Sequence, residues 1–249
     1  MGITGTEVVK KVADCILVDD SFSTIVDGVE EGRRITANIK KVILYLLAGN
    51  IVEVILVFAS MLMNMEMFTT LQLLWINLVT DSIPAIMLAF EKCDKDVMEN
   101  TPANRSSSSF FTPFLTAKIV IGAIVKSAVM LVIFMYYAKT YDANMAGSLM
   151  FIFLVANELL YALSCRNLKR SVLNKDMFSN KRLSIGLGGL LLVQLIVLTT
   201  GLSKFFIVDN IGINNVLITL GICFAVFVLG ELVKPLYVKL FKDYTEVKK

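Results

Sequence analysis

The 249-residue sequence contains no histidine, and its four cysteines, Cys15, Cys93, Cys165 and Cys223, form no CxxC pair. A site selective for zinc or copper wants imidazole or thiolate, so soft-metal chemistry is disfavoured. The cysteines are scattered, two of them within or beside apolar runs, and read as small hydrophobes, with neither a disulfide framework nor a thiolate metal site indicated. Charge is scarce as well: 18% of residues are charged against 56% hydrophobic. A soluble domain of this length needs a core, but not this much apolar sequence. Residues 1–40 are polar and mixed in charge, so no cleavable signal is expected there. Neither an internal repeat nor a low-complexity tract is visible.

Long apolar runs are what the sequence does have. Runs of about 17 to 25 such residues mark transmembrane helices. Six are expected, at 42–63, 70–90, 115–137, 148–165, 184–203 and 213–233. The expected fold class is an all-α, multi-pass membrane protein with the lipid bilayer as its surroundings. Of the 24 Lys and Arg, 20 fall on one side of these spans. Lys139 and Lys204 fall on the other, while Lys118 and Lys126 lie inside the third span. That asymmetry places both termini in the cytoplasm. The net charge of +3 is this bias, and no nucleic-acid partner is expected.

Residues 1–22 look like the end of a soluble α/β domain. A short helix carrying Val8, Val9 and Val12 should lead into a buried strand, Cys15 to Val18, and a turn at Asp19 and Asp20. From Ser23 a helical pattern runs through Ile25, Val29, Ile35 and Ile39 with no proline before the first span. One helix from Ser23 to Met63 would be on the order of 60 Å long. Residues 23–41 would then form a stalk. The polar loop 91–114 reads as a solvated linker. Lys118 should snorkel, Lys126 has an acid within conceivable reach, and Glu231 and Lys234 should be interfacial.

Three carboxylates lie deep. Glu53, Asp81 and Glu158 fall ten or eleven residues into their spans, about 15 to 18 Å down and near the midplane of a ~30 Å core. Charges at that depth are costly and point to function. Asn50 precedes Glu53 by three residues, and Asn77 precedes Thr80 by three and Asp81 by four, so these side chains share helix faces. Pro84 removes the hydrogen bond that would satisfy the carbonyl of Thr80. The set is all oxygen, which suits a hard cation such as calcium; the same ligands also suit an isolated sodium or proton site. Asn and Thr in a span also serve simply to bond a neighbouring helix.

The stretch "MGITGTEVVKKVADCILVDDSFSTIVDGVEEGRRITANIKKVILYLLAGNIVEVI", followed by "QLLWINLVTDSIPA", resembles the C-terminal part of P-type ATPases. The calcium pumps of the endoplasmic-reticulum and secretory-pathway kind, with their bacterial relatives, are the most similar subgroup. The resemblance covers essentially the whole chain and is strongest over residues 1–90. It implies that the six spans are the last six of ten. It also implies that Asn50 and Glu53, Asn77, Thr80 and Asp81, and Glu158 in "ANELLYAL" are ligands of transported Ca2+. Ser82 departs from the glycine that many relatives carry beside the aspartate.

The family's D-K-T-G-T and G-D-G-x-N-D motifs do not occur in the chain. By resemblance, residues 1–22 are the end of a phosphorylation domain and 42–249 a cation-transporting C-terminal membrane domain. The chain alone is expected not to hydrolyse ATP. ATP and Mg2+ would belong to the full-length pump, with its actuator, nucleotide-binding and phosphorylation domains and first four helices as partners. A bacterial member would reside in the plasma membrane. A cation carrier or channel module, and a sodium- or potassium-type pump, are the other readings.

Overall fold

A computed structural model describes residues 1–92, 98, 111–168, 170–173, 177, 180–208 and 211–240. Most of the loop expected to be a solvated linker therefore lies outside the described residues. So do Cys93, the basic residues Lys95, Arg105, Lys169 and Lys175, and everything from 241 onward.

A short helix, α1 (Glu7–Val12), precedes the long α2 (Phe22–Leu62). The expected strand at Cys15–Val18 does not form. Those residues run as coil, Val18 is 83% exposed, and Cys15 is exposed as well. A strand needs a neighbour to bond its edge, and among the described residues the only ladder-like bond here is from the Gly2 amide to the Leu17 carbonyl, 2.7 Å. The segment is instead closed by Asp20, which accepts from the Ile3 amide, the Thr4 amide and the Thr4 hydroxyl. The Thr4 hydroxyl is the main reason the Asp20 carboxyl is held well below the usual carboxylate range.

The expected stalk-and-span helix is a single element of 41 residues, about 60 Å long. Its inward face runs through Asn38, Lys41, Leu44, Ala48, Val52, Leu56 and Ser60, at spacings of three and four, with Tyr45 beside Leu44. Asn64 ends it in the left-handed region (φ 52°), letting the Met65 amide reach back to the Ser60 carbonyl, 3.1 Å. The second span is segmented. It comprises α3 (Thr70–Trp75), a π-helical turn (Ile76–Thr80) and α4 (Ser82–Ala89). A reciprocal box starts α3: Thr69 Oγ1 accepts from the Gln72 amide, and Gln72 Oε1 accepts from the Thr69 amide.

The remaining spans are α5 (Pro113–Thr140), α6 (Ala143–Cys165), α7 (Lys181–Thr199) and α8 (Ile213–Leu240). Thr112 and Asn180 cap α5 and α7 through the Leu115 and Leu183 amides. All six expected spans thus appear as helices long and apolar enough to cross a membrane, and the chain is a multi-pass membrane protein.

These helices are not equivalent. In α6, 78% of the most apolar stretch is buried, against 22–39% in the other five. A helix apolar all round and covered all round is a central one. Helices α2, α4, α5 and α8 pack around α6, and α7 lies against α4. Lipid is as apolar as leucine, so burial does not drive this packing; close fit and interhelical hydrogen bonds do.

At the end where α2 enters the bundle, polar groups knit the helices together. Glu91 pairs with Arg166 at 3.0 Å and accepts from Asn180 at 2.8 Å, while its carbonyl accepts from Asn38 on α2 at 2.8 Å. Glu231 and Lys234, expected near the end of the last span, are buried, 1% and 5% exposed. They pair at 2.9 Å and also bond Ser164 and the Val172 amide. The Lys118 ammonium reaches the segment that follows α6, donating to the Leu168 carbonyl, 2.9 Å. A satisfied ammonium has no need of water.

Candidate cation site

The turn Ile76–Thr80 sets the site's geometry. It is closed by the Asp81 amide donating to the Ile76 carbonyl, five residues back, at 2.9 Å. Such one-turn π-bulges inside α-helices gather at functional sites. Just beyond it the Ala85 amide goes to the Asp81 carbonyl, and Pro84 has no N–H to offer Thr80. The Ser82 hydroxyl bonds the Asn77 carbonyl at 3.3 Å, so the serine in place of glycine supports the bulge.

The three deep acids come from α2, the bulge and α6, and all are buried: Glu53 7%, Asp81 3% and Glu158 1% exposed. Asn77 Nδ2 donates to Glu53 Oε2 at 2.7 Å and to the Leu73 carbonyl at 3.0 Å. The Tyr45 hydroxyl donates to Asp81 Oδ1 at 3.1 Å. Glu158 lies against the α2 backbone, where a Cβ built on Gly49 would sit 3.2 Å from Oε2. Asp81 is in electrostatic reach of both Glu158 and Glu53. Thr80 is buried beside Asp81, whereas Asn50 and Asn77 lie on exposed faces of their helices.

Several acceptors here have no partner. Glu53 Oε1, both oxygens of Glu158 and Asn157 Oδ1 are buried without a hydrogen bond. An unpaired buried carboxylate costs on the order of several kcal/mol, which a bundle tolerates only if something else uses the oxygen. Among the described residues, no three acidic or thiol side chains come close enough to enclose an ion by themselves. A cation held here must therefore also draw on amide, hydroxyl and main-chain carbonyl oxygens. The clefts of about 390 and 190 Å3 open elsewhere, among Thr199, Lys204 and Val216 and among Glu66, Gln72 and Asn144. Neither reaches the acids.

Sequence reasoning passed over Tyr45, Asn157 and Tyr161. The available signal was a phenol or amide inside an apolar run, which needs a polar partner. Tyr45 found one in Asp81, and its ring stacks on that of Tyr161 at 6.2 Å.

Residues 65–236 match the family described as cation transporting ATPase, C-terminus. The chain is 33% identical over 255 residues to calcium-transporting ATPase 1 of Bacillus cereus, covering 94% of this chain and 28% of the relative. To calcium-transporting ATPase lmo0841 of Listeria monocytogenes it is 35% identical, over 96% of this chain and 27% of the relative. The human calcium-transporting ATPase type 2C member 1 is 32% identical, over 94% and 26%. The chain thus spans about a quarter of the length of these curated relatives.

Proposed function

The chain belongs to the cation-transporting ATPase family, as a C-terminal membrane portion of the P type, and from that premise we propose that it holds the ion-binding helices of an ATP-driven calcium pump. Residues 1–22 are the end of the phosphorylation domain, 23–41 the stalk, and 42–249 the membrane domain. Both termini face the cytoplasm, and in a bacterium the membrane is the plasma membrane. The observation that carries this reading is the group of buried carboxylate oxygens left unpartnered beside a π-helical turn.

Glu53, Asp81 and Glu158 supply the charge, while Asn50, Asn77 and Thr80 supply neutral oxygens. Calcium takes six to eight such ligands, so the helices that complete the pump contribute the rest. Phosphorylation in the domain attached to α2 pulls that helix. Because α2 carries both Glu53 and the Gly49 surface against Glu158, a shift along its axis alters two of the three acids at once. Once calcium leaves, three carboxylates crowd a low-dielectric space and take up protons, which are carried back. ATP and Mg2+ act in the parts of the pump that carry the D-K-T-G-T motif. This chain alone does not hydrolyse ATP.

Equilibrium dialysis with labelled calcium tests the reading, with the purified intact pump and its Asp81→Asn variant and with sodium and magnesium as competitors. Saturable binding that Asp81→Asn abolishes is the expected result. Equal competition by millimolar sodium would instead assign a sodium-type pump, and no saturable binding would overturn the ligand assignment.

A further inference from the structure

Lys126 sits midway along α5, about 20 Å from either end of the helix. A lysine there is too far from the headgroups to snorkel. Its stem is half-buried, yet its ammonium is fully buried and has no hydrogen-bond partner. What it has is a ring: Nζ lies 3.4 Å from the centroid of Tyr161. Tyr161 follows Glu158 by three residues on α6, so the two share a face one turn apart. Both carboxylate oxygens of Glu158 are the unpartnered ones, and Lys126 is the cation that acts on them. The ammonium over Tyr161 and the carboxylate of Glu158, one turn back along α6 from that tyrosine, are thus both without a hydrogen bond and are not paired with each other. The charged groups facing Lys126 are Glu158 on α6 and Asp81 at the bulge.

The ring is itself held by the site. Tyr161 stacks on Tyr45 at 6.2 Å and 29°, and the Tyr45 hydroxyl bonds Asp81. The arrangement runs Asp81, Tyr45, Tyr161, Lys126, with the cation at one end and an acid of the site at the other.

We infer that Lys126 is a tethered cation of the transport site with two seats, the Tyr161 ring and the Glu158 carboxylate. On the ring it leaves Glu158 open to an incoming cation. On Glu158 it neutralises the carboxylate when that cation has gone, and so competes with it. The inference rests on the assignment of Glu158 as a ligand. It adds a residue of α5, and an aromatic one of α6, that set how tightly calcium is held.

Labelled-calcium dialysis on the purified intact pump tests it with Lys126→Met, Lys126→Arg, Tyr161→Leu, Tyr161→Phe and the double variant Lys126→Met/Tyr161→Leu. Removing a positive charge this near a divalent ion should tighten binding by roughly tenfold or more, and the arginine variant, which keeps the charge, should stay within about threefold of wild type. Tyr161→Leu removes one seat and should weaken binding by roughly fivefold, while Tyr161→Phe, which keeps the ring, should not. In the double variant the Tyr161→Leu loss should vanish. Equal weakening by Lys126→Met and Lys126→Arg would reduce Lys126 to packing and overturn the inference. So would a Tyr161→Leu loss that persists in the double variant. Calcium binding by wild type that Lys126→Met leaves unchanged would sink the inference alone; no binding by wild type would sink the calcium reading and the inference together.

Discussion

Two groups of buried acids sit in this bundle under opposite rules. At the end where α2 enters, Glu91 and Glu231 have every carboxylate oxygen bonded, to Arg166 and Asn180 and to Lys234, Ser164 and Val172. At mid-depth, Glu53 keeps one bare oxygen and Glu158 two. The first group is bound up internally and does the work of joining α4, α6, α7 and α8. The second is left incomplete, at a cost the first group avoids. Acids completed by the chain itself hold helices together; acids left incomplete are held ready for something that is not part of the chain.

The two groups should separate cleanly when each is mutated. Asp81→Asn and Glu158→Gln should weaken calcium binding by roughly a hundredfold or more, since ligand charge sets affinity over such ranges. The thermal midpoint in detergent should hold or rise, because an uncompensated charge has been removed. A falling midpoint with intact binding would erase the distinction. Arg166→Met should do the reverse. It strands the buried Glu91 charge and should cost about 3 kcal/mol in stability, read as a midpoint lower by several degrees, with calcium affinity within about threefold. Adding Glu91→Leu to it should recover most of that loss, as expected when both partners of a buried pair go.

Smaller effects sharpen the boundary. Glu231→Gln keeps the shape but weakens the bonds to Lys234, Ser164 and Val172, and should cost about 1 to 2 kcal/mol of stability. Faster proteolysis within 166–173 would report it. Gly49→Ala should be the mildest. Its methyl would meet Glu158 Oε2 at 3.2 Å, and displacing the carboxylate by a few tenths of an ångström should reduce calcium affinity about threefold to tenfold, an overpacking cost of about 1 kcal/mol. The same variant should leave the stability of the Glu91 cluster untouched.

The six spans and the unbroken α2 were legible because apolar length and a sustained period of three and four leave few alternatives for Val42 or Ile51. The three deep acids were legible for the same reason, as charges standing out from apolar sequence. Their partners were not. Nothing local says that Tyr45 meets Asp81, 36 residues away, or that Gly49 clears space for Glu158. The strand expected at Cys15–Val18 failed because β structure is a property of pairs, and the residues described here offer it no neighbour. The burial of Glu231 and Lys234 was not legible because burial of a charge depends on its partner; Ser164 and Val172 come from another helix and its following loop.

The π-helical turn has one more consequence, which concerns phase. Before it, the inward positions of the second span are Gln72, Ile76 and Thr80, each four apart; after it they are Asp81, Ala85 and Leu88. The wider turn takes one extra residue, so the inward stripe steps from position 80 to position 81 and continues on a new count. Two consecutive side chains, a hydroxyl and a carboxylate, are therefore both buried where the two stripes meet. A single-phase reading of the span sees one polar residue inside and the next misplaced. The helix accommodates both by losing count once.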